Sequence, residues 1–442
     1  MTRFTRQLRA AAFAALSVTL ATGVLAEVPQ GVETFDAAWR TVRDSHFDKT
    51  LNGVNWDAVN TELRPRAAAA RTVGELRAVI RDMLGRLGQS HFALLPASAD
   101  SASEAPRDTS GTPGFDVRLV DQDLLVTQVE PDSGAAAAGV RTGWKLRSID
   151  GAAASALLAS LPDALEPRLM QVEAWRLTQM RLRGPSGSRV ALTFEDGSAA
   201  TIQKSVERRL EPGEPVTVGN LPTMYVRVRS HPAETPAGRP AGVIAFNVWM
   251  TAVDPPFQKA VDEFRNSDGI VIDLRGNPGG LAAMLMGISG HFIDERKPLG
   301  VMKTRDNELR FPVNPRRVSA TGERVQPFAG PVAILMDGLS GSASECFAGG
   351  MQSLGRVRVF GQRSMGQALP ALFTRLPNGD VLIHAYGDFV TANGTRLEGR
   401  GVVPDEPITL DRKELLAGRD RTLEAALAWF DSLAAPKTER NR

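Results

Sequence analysis

Apolar side chains recur at helical spacing through the first part of the chain. Phe35, Ala38, Trp39, Val42 and His46 share one stripe, and a second helix is expected after Asn55-Trp56. A third opens at Thr72-Val73-Gly74-Glu75, which has the capping-box spacing. It carries Leu76, Ile80, Met83, Leu84 and Leu87 on one face and stops at Gly88. Over residues 112–209 the pattern changes to short strands at 124–129, 190–194 and 200–206, with a helical insertion at about 153–181. Residues 220–434 alternate strand and helix. Apolar runs at 241–246, 269–274, 331–336 and 357–360 predict buried strands, and helices are expected from Asp254-Pro255-Pro256, over 281–293 and from Ala343. A hairpin is expected at 371–376 and 381–390 around Pro377-Asn378-Gly379-Asp380, and an amphipathic helix at 421–433. The order predicts an α/β core with a mixed sheet, a helical cap at 27–97 and an inserted β module at 112–209.

The N-terminus changes the picture of location. Residues 1–26 carry Arg3, Arg6 and Arg9, then a mostly apolar run without acids that closes on Val24-Leu25-Ala26. This is the pattern of a cleavable export signal, so a periplasmic or secreted protein is expected. A stable membrane anchor is not, because about 20 apolar residues are needed and Ser17, Thr19 and Thr22 interrupt the run. Without those three Arg the net charge falls from +2 to about −1. No basic cluster with interleaved aromatics exists, which argues against nucleic acid as a partner. Residues 98–111, rich in Ser, Ala, Pro and Asp, read as a linker. The single Cys346 allows no internal disulfide, and its place behind Ser342 suits a small buried side chain. Five scattered His residues without a ligand motif give no support to a metal, and no cofactor is expected.

The candidate chemistry starts at Asp337-Gly-Leu-Ser-Gly-Ser-Ala-Ser-Glu-Cys-Phe-Ala-Gly-Gly350, where a strand runs through a Gly/Ser turn into a helix. Ser342 would sit at the helix N-terminus, where free N–H groups favour a developing alkoxide or oxyanion. Ser340, Ser342 and Ser344 equally suit N-cap and turn positions, and this stretch alone leaves both readings open.

Residues Gly114-Phe115-Asp116-Val117, the small-residue run ending Ala138-Gly139-Val140, and Ile149-Asp150-Gly151 resemble a PDZ domain. Trp144 stands where that pattern has Asp. The resemblance implies strand addition of a peptide along 114–117, with a terminal carboxylate held on loop N–H groups. Together with Asp273-Leu-Arg-Gly-Asn-Pro-Gly-Gly280, the Gly-Ser342-Ala-Ser-Glu turn and Glu398-Gly-Arg-Gly-Val-Val-Pro-Asp405, the chain resembles the C-terminal processing (tail-specific) proteases and the tricorn core. That resemblance implies a ClpP/crotonase-like α/β core, hydrolysis of peptide bonds in polypeptide substrates, and Ser342 as nucleophile. It leaves room for an oligomer.

The processing-protease pattern has a Lys as base in a downstream Gly-Lys pair, but Gly366-Gln367 stands here and no Lys occurs between Lys303 and Lys413. An amide takes no proton at neutral pH. The tricorn pattern uses a His from an earlier Ser-His pair and a Glu after the core hairpin, matched by Ser90, His91 and Glu398. The imidazole is expected near its ordinary value, with Glu398 orienting it directly or through a hydroxyl such as Ser90. N–H groups of Gly279 or Gly280 and of Ala343 are the expected oxyanion donors, and His384 is the second candidate base. A catalytically silent peptide- or ligand-binding protein on the same fold is the alternative, motivated by the missing Lys.

Overall fold

The computed structural model describes residues 31–97, 110–162, 165–217 and 223–434. The expected leader and most of the expected linker lie outside the described residues.

Helices Gly31–Ser45, Trp56–Ala69 and Val73–Gly85 pack around Phe35, Val42, Leu63, Leu76, Ile80 and Met83. Trp39 and Trp56 brace the first two by donating reciprocally, Nε1 of each to the carbonyl of the other, at 3.0 and 3.1 Å. Thr72 caps the third helix by accepting from Glu75 N–H, while Glu75 reaches Arg71 N–H, one residue earlier than the capping box demands.

The cap core does not close on itself. Leu94, Leu376 and Leu382 complete it, the last two from the hairpin far downstream. Ala93–Leu95 pairs antiparallel with Val381–Ala385, which pairs in turn with Ala371–Arg375. The expected long second arm of that hairpin breaks at Tyr386. Gly387–Thr391 leaves for a different sheet beside Pro298–Thr304.

The inserted module is an antiparallel sheet ordered Phe115–Val120, Asp123–Val129, Lys145–Ile149, Arg189–Glu195 and Thr201–Glu207. Helix Pro167–Leu182 packs against its first strand, around Phe115, Val117, Leu182 and Phe194.

The central sheet runs Val228–Glu234, Pro240–Phe246, Ile270–Asp273, Val332–Met336, Arg358–Gly361 and Glu406–Pro407. Only the first pair is antiparallel. The fold is therefore mixed α/β, as the alternating pattern predicts. Val332–Met336 is buried along its whole length between the helix Ala343–Ser353 on one face and Arg421–Ala434 on the other, so it reads as a continuous apolar run. After Gly280 the expected helix is shorter, a single 3₁₀ turn Ala282–Met284 followed by Leu285–Ser289. The carboxyl ends of these parallel strands carry the loops that meet at Ser342. Among the described residues no helix is long and apolar enough to cross a membrane.

Candidate active site

The strand Val332–Met336 ends at Asp337, and the turn after it is fixed by its serines. Ser340 Oγ accepts from Asp337 N–H at 3.0 Å and donates to Leu274 O at 2.8 Å. Ser344 Oγ accepts from Trp249 Nε1 at 2.8 Å and donates to Asn277 O at 3.0 Å. Of these three serines, only Ser342 has a hydroxyl proton with no protein acceptor among the described residues. The three serines that the sequence cannot rank are thus separated: two are structural and one is uncommitted.

Ser342 has φ 51° and ψ −117°, a backbone conformation that a side chain rarely adopts. Such a residue costs about 1–3 kcal/mol and persists only where its surroundings impose it. Here they do. Its N–H is shared between Gln367 O at 2.9 Å and Glu345 Oε2 at 3.0 Å, and Gly341 N–H donates to Asn277 O at 3.0 Å. Gly279 presses on the same turn, since a Cβ there would lie 2.6 Å from Ser342 Cβ and 2.9 Å from Ala343 N.

Gly279 has already given its own N–H to Asn277 Oδ1 at 3.0 Å, so that expected oxyanion donor is occupied. Gly280 follows at φ +141°, bridged in parallel to Trp249. The N–H groups of Gly280 and Ala343 have no protein acceptor among the described residues. They remain the two candidates beside Ser342.

The cap supplies the other half. Gly88, at φ +61°, turns the chain out of the third helix and into Ser90-His91. Ser90 N–H donates to Glu398 Oε1 and Ser90 Oγ to Glu398 Oε2, each at 2.9 Å, and Ser90 Oγ lies 2.8 Å from His91 Nδ1. A hydroxyl has one proton. With that proton on Glu398, Ser90 Oγ must accept from His91 Nδ1–H, which leaves Nε2 with its lone pair. Glu398 Oε2 also accepts from Ala368 N–H at 2.9 Å, one residue after Gln367. The segment 366–368 therefore touches both Ser342 and Glu398. His91 Nε2 and Ser342 Oγ are not hydrogen-bonded to each other in this structure.

Like Ser342, His91 has positive φ, 59°. Its imidazole departs from the value expected from sequence, because burial of the ring pushes it down to about 4. It is neutral at physiological pH.

His384 is placed elsewhere. Its Nδ1 lies 2.8 Å from Ser45 Oγ and its Nε2 2.9 Å from Thr374 Oγ1, so both nitrogens serve the junction of cap and hairpin. Gln367 contributes its backbone to the site, accepting from Ser342 and donating to Glu345 Oε2 at 3.0 Å. Cys346 is buried behind the turn, and that burial raises its thiol well above the ordinary range. Among the described residues no His, Cys, Asp and Glu cluster could hold a metal. Along the expected peptide-binding stretch, Gly114 takes φ +81°, and Phe115 and Val117 point into the module core. Asp116 Oδ1 is held by Trp175 Nε1 at 2.6 Å and Gln179 Nε2 at 3.2 Å from the neighbouring helix.

Two carboxylates of the site, Glu345 and Asp337, have no assigned role in the sequence reading. Glu345 is fully buried, and its two oxygens accept from Ser364 Oγ, Gly366 N–H, Ser342 N–H and Gln367 N–H. Burial still dominates and pushes it up to about 7. Asp337 Oδ1 accepts from Gly276 and Leu339 N–H, while Oδ2 pairs with Arg118 of the inserted module. Burial alone would raise this carboxyl. Arg118 and the two N–H groups hold it below its ordinary value instead. The signal for Glu345 was its place in Ser-Ala-Ser-Glu, three residues after Ser342. Arg118 gave none, because its partner lies 219 positions away.

A strained serine on a strand-to-helix turn, free N–H groups next to it and an imidazole linked through Ser90 to a carboxylate make up a candidate serine hydrolase site. Residues 240–408 match the sequence model of peptidase family S41, and residues 32–85 that of the tricorn protease C1 domain. Residues 240–408 thus carry a peptidase family S41 domain, and the chain is a serine-type peptidase. It is similar to the carboxyl-terminal-processing protease of Picosynechococcus sp., 25% identical over 84% of this chain and 81% of the relative. It is also similar to the chloroplastic carboxyl-terminal-processing peptidase 3 of Arabidopsis thaliana, 24% identical over 87% of this chain and 70% of the relative. The solved photosystem II D1 C-terminal processing protease shares the fold. Its TM-score is 0.58 at 21% identity, covering 91% of this chain and 99% of that one.

Proposed function

We propose that the chain is an exported serine endopeptidase, with Ser342 as nucleophile and His91 as its base. It acts on unfolded or C-terminally exposed polypeptides in the periplasm or outside the cell. The observation that carries this reading is the Glu398–Ser90–His91 relay, which puts the proton on Nδ1 and leaves the Nε2 lone pair free to act as a base. The export signal read in residues 1–26 supports the location.

Substrate binding brings Nε2 and Oγ into hydrogen-bonding reach, as catalytic contacts commonly tighten only in the complex. Nε2 takes the Oγ proton as Oγ bonds to the scissile carbonyl carbon, and the carbonyl oxygen becomes an oxyanion facing the Gly280 and Ala343 N–H groups. The imidazolium, balanced through Ser90 by Glu398, gives that proton to the leaving amine as the C–N bond breaks. Water then attacks the acyl-enzyme by the reverse proton path and releases Ser342. The module strand Phe115–Val120, at a sheet edge, would guide the substrate by strand addition near Gly114–Val117.

The test is covalent labelling by a fluorophosphonate probe. Labelling should vanish in Ser342→Ala and drop sharply in His91→Ala. Labelling that survives Ser342→Ala sinks the assignment of the nucleophile. Wild-type protein that neither labels nor cleaves unfolded protein would favour a silent binding protein.

A further inference from the structure

Beyond the oxyanion turn lies an open cavity of about 620 Å³ that the proton-transfer machinery does not use. Its floor is apolar, made by Pro255, Ala283, Met284, Met286, Pro312 and Val313. The cavity is continuous with the site in the chain. Leu281 N–H donates to Trp249 O at 2.7 Å beside the Gly280–Trp249 bridge. The two strands of chain leaving that bridge supply Thr251 on one wall and Ala283 on the other.

Charge is uneven around it. Arg316 is neutralised by Asp254, with Nη2 2.6 Å from Oδ2. Arg296, also on the lining, is exposed and has no ion pair or hydrogen bond among the described residues. The pocket thus joins a floor with two adaptable thioethers to one uncompensated cation.

We infer that this pocket is a substrate subsite, taking a large apolar side chain near the scissile bond with an aspartate or glutamate side chain set against Arg296. The inference rests on the peptidase reading of Ser342. Methionines adapt to side chains of different shape, so the floor selects for apolar bulk rather than for one residue. The acid belongs to a side chain because Arg296 is exposed on an open cavity, and an endopeptidase substrate continues past its cleavage position rather than ending there.

The test uses full-length Ser342→Ala protein and fluorescein-labelled, unfolded peptides with amidated C-termini. One peptide carries Leu-Glu next to the expected cleavage position, and the others Leu-Gln, Ser-Glu and Leu-Lys. Fluorescence anisotropy should give a Kd for Leu-Glu about tenfold tighter than for Leu-Gln or Ser-Glu. In a second protein that also carries Arg296→Glu, an exposed change that leaves the core intact, Leu-Lys should overtake Leu-Glu. In Ala283→Trp, which fills the cavity, the Leu over Ser preference should be lost. An unchanged order in both variants overturns the inference, as does an acid preference seen only with a free C-terminal carboxylate. Cleavage of the same peptides by wild-type protein reports separately on the Ser342 reading. Failed turnover with a retained binding order would sink that reading and not the pocket.

Discussion

Arg118 Nε lies 2.8 Å from Asp337 Oδ2, joining the edge strand of the inserted module to the residue that begins the Ser342 turn. Both side chains are buried, and Arg118 Nη1 also holds Asp116 Oδ2 at 2.6 Å. Removing one partner of a buried pair strands the other charge, at about 3–5 kcal/mol. Arg118→Met should therefore lower Tm clearly and slow fluorophosphonate labelling, because Asp337 also fixes Gly276 and Leu339. The double variant with Asp337→Asn should recover part of the lost stability. Additive losses in that double-mutant cycle would show the pair to be uncoupled.

Glu345 makes a different demand on the turn. All four of its partners are donors, so only a carboxylate, or a carboxyl with one oxygen sacrificed, fits there. In Glu345→Gln an amide NH₂ faces N–H or O–H donors, and at least one loses its acceptor at about 1–3 kcal/mol. The strained Ser342 conformation is then less well held. Labelling should fall by about 10²-fold or more while far-UV circular dichroism stays native, by analogy with the loss of one preorganised donor. Near wild-type labelling in a folded variant would remove Glu345 from the positioning of Ser342.

These two residues mark where the sequence becomes hard to read. The alternation of strands and helices, the buried run at Val332–Met336 and the Ser342 turn are local patterns, and local patterns survive in a single chain. Arg118 with Asp337, Asp380 with Arg77 and Glu398 with Ser90 are pairs separated by more than 200 positions, with nothing local to announce them. The hairpin's loyalty to the cap was equally hidden, because Leu376 and Leu382 look the same whichever core they enter. The length expected for the helix after Gly280 failed for a physical reason. Met284 and Leu285 continue the apolar period, but Gly287 and Gly290 lie in its path, and a Cβ at Gly290 would meet Asn314 O at 1.7 Å. The ordinary imidazole expected at His91 failed because burial cannot be read from a Ser-His pair.

Asp380 sits in the hairpin turn, fully buried, and accepts from Arg77 at 2.9 and 2.7 Å and from Ala97 N–H at 2.7 Å. Segment 90–97 is thus gripped at one end by Glu398 and at the other by Asp380, with His91 next to the first grip. Asp380→Asn keeps the shape and removes the charge facing Arg77. It should cost about 1–3 kcal/mol, the penalty of leaving a buried donor without its acceptor beside a partly exposed Arg77, and reduce kcat more than KM by loosening His91. Arg77→Lys should recover less than half of an Arg77→Ala defect, since one ammonium cannot replace the two-pronged contact. A KM effect alone would mean that the clamp serves substrate binding instead.

Two groups of the candidate site, His91 and Glu345, titrate in separate ranges, and each has a sign. Burial holds His91 down to about 4, so the proposed base is already free across pH 5 to 8 and kcat/KM should fall as pH drops through about 4, not through 6.5. Glu345, pushed up to about 7, gains its full set of accepted hydrogen bonds as pH rises through that value, so kcat/KM should show a second rise there. Stability follows linkage. His91 and His291 both have folded values of about 4 against an ordinary 6.5, so the unfolded chain binds protons first and stability is lost as pH falls from 6.5 towards 4. Glu345 acts oppositely: its raised value favours the folded protein below about 4.5, a contribution lost as pH rises towards 7. The checks are a pH–rate profile and Tm measured over the same range. Glu345→Gln should erase the upper step alone, and His291→Phe should flatten the Tm slope below pH 6.5 without moving the lower kinetic step. An upper step that persists in Glu345→Gln would assign it to another group.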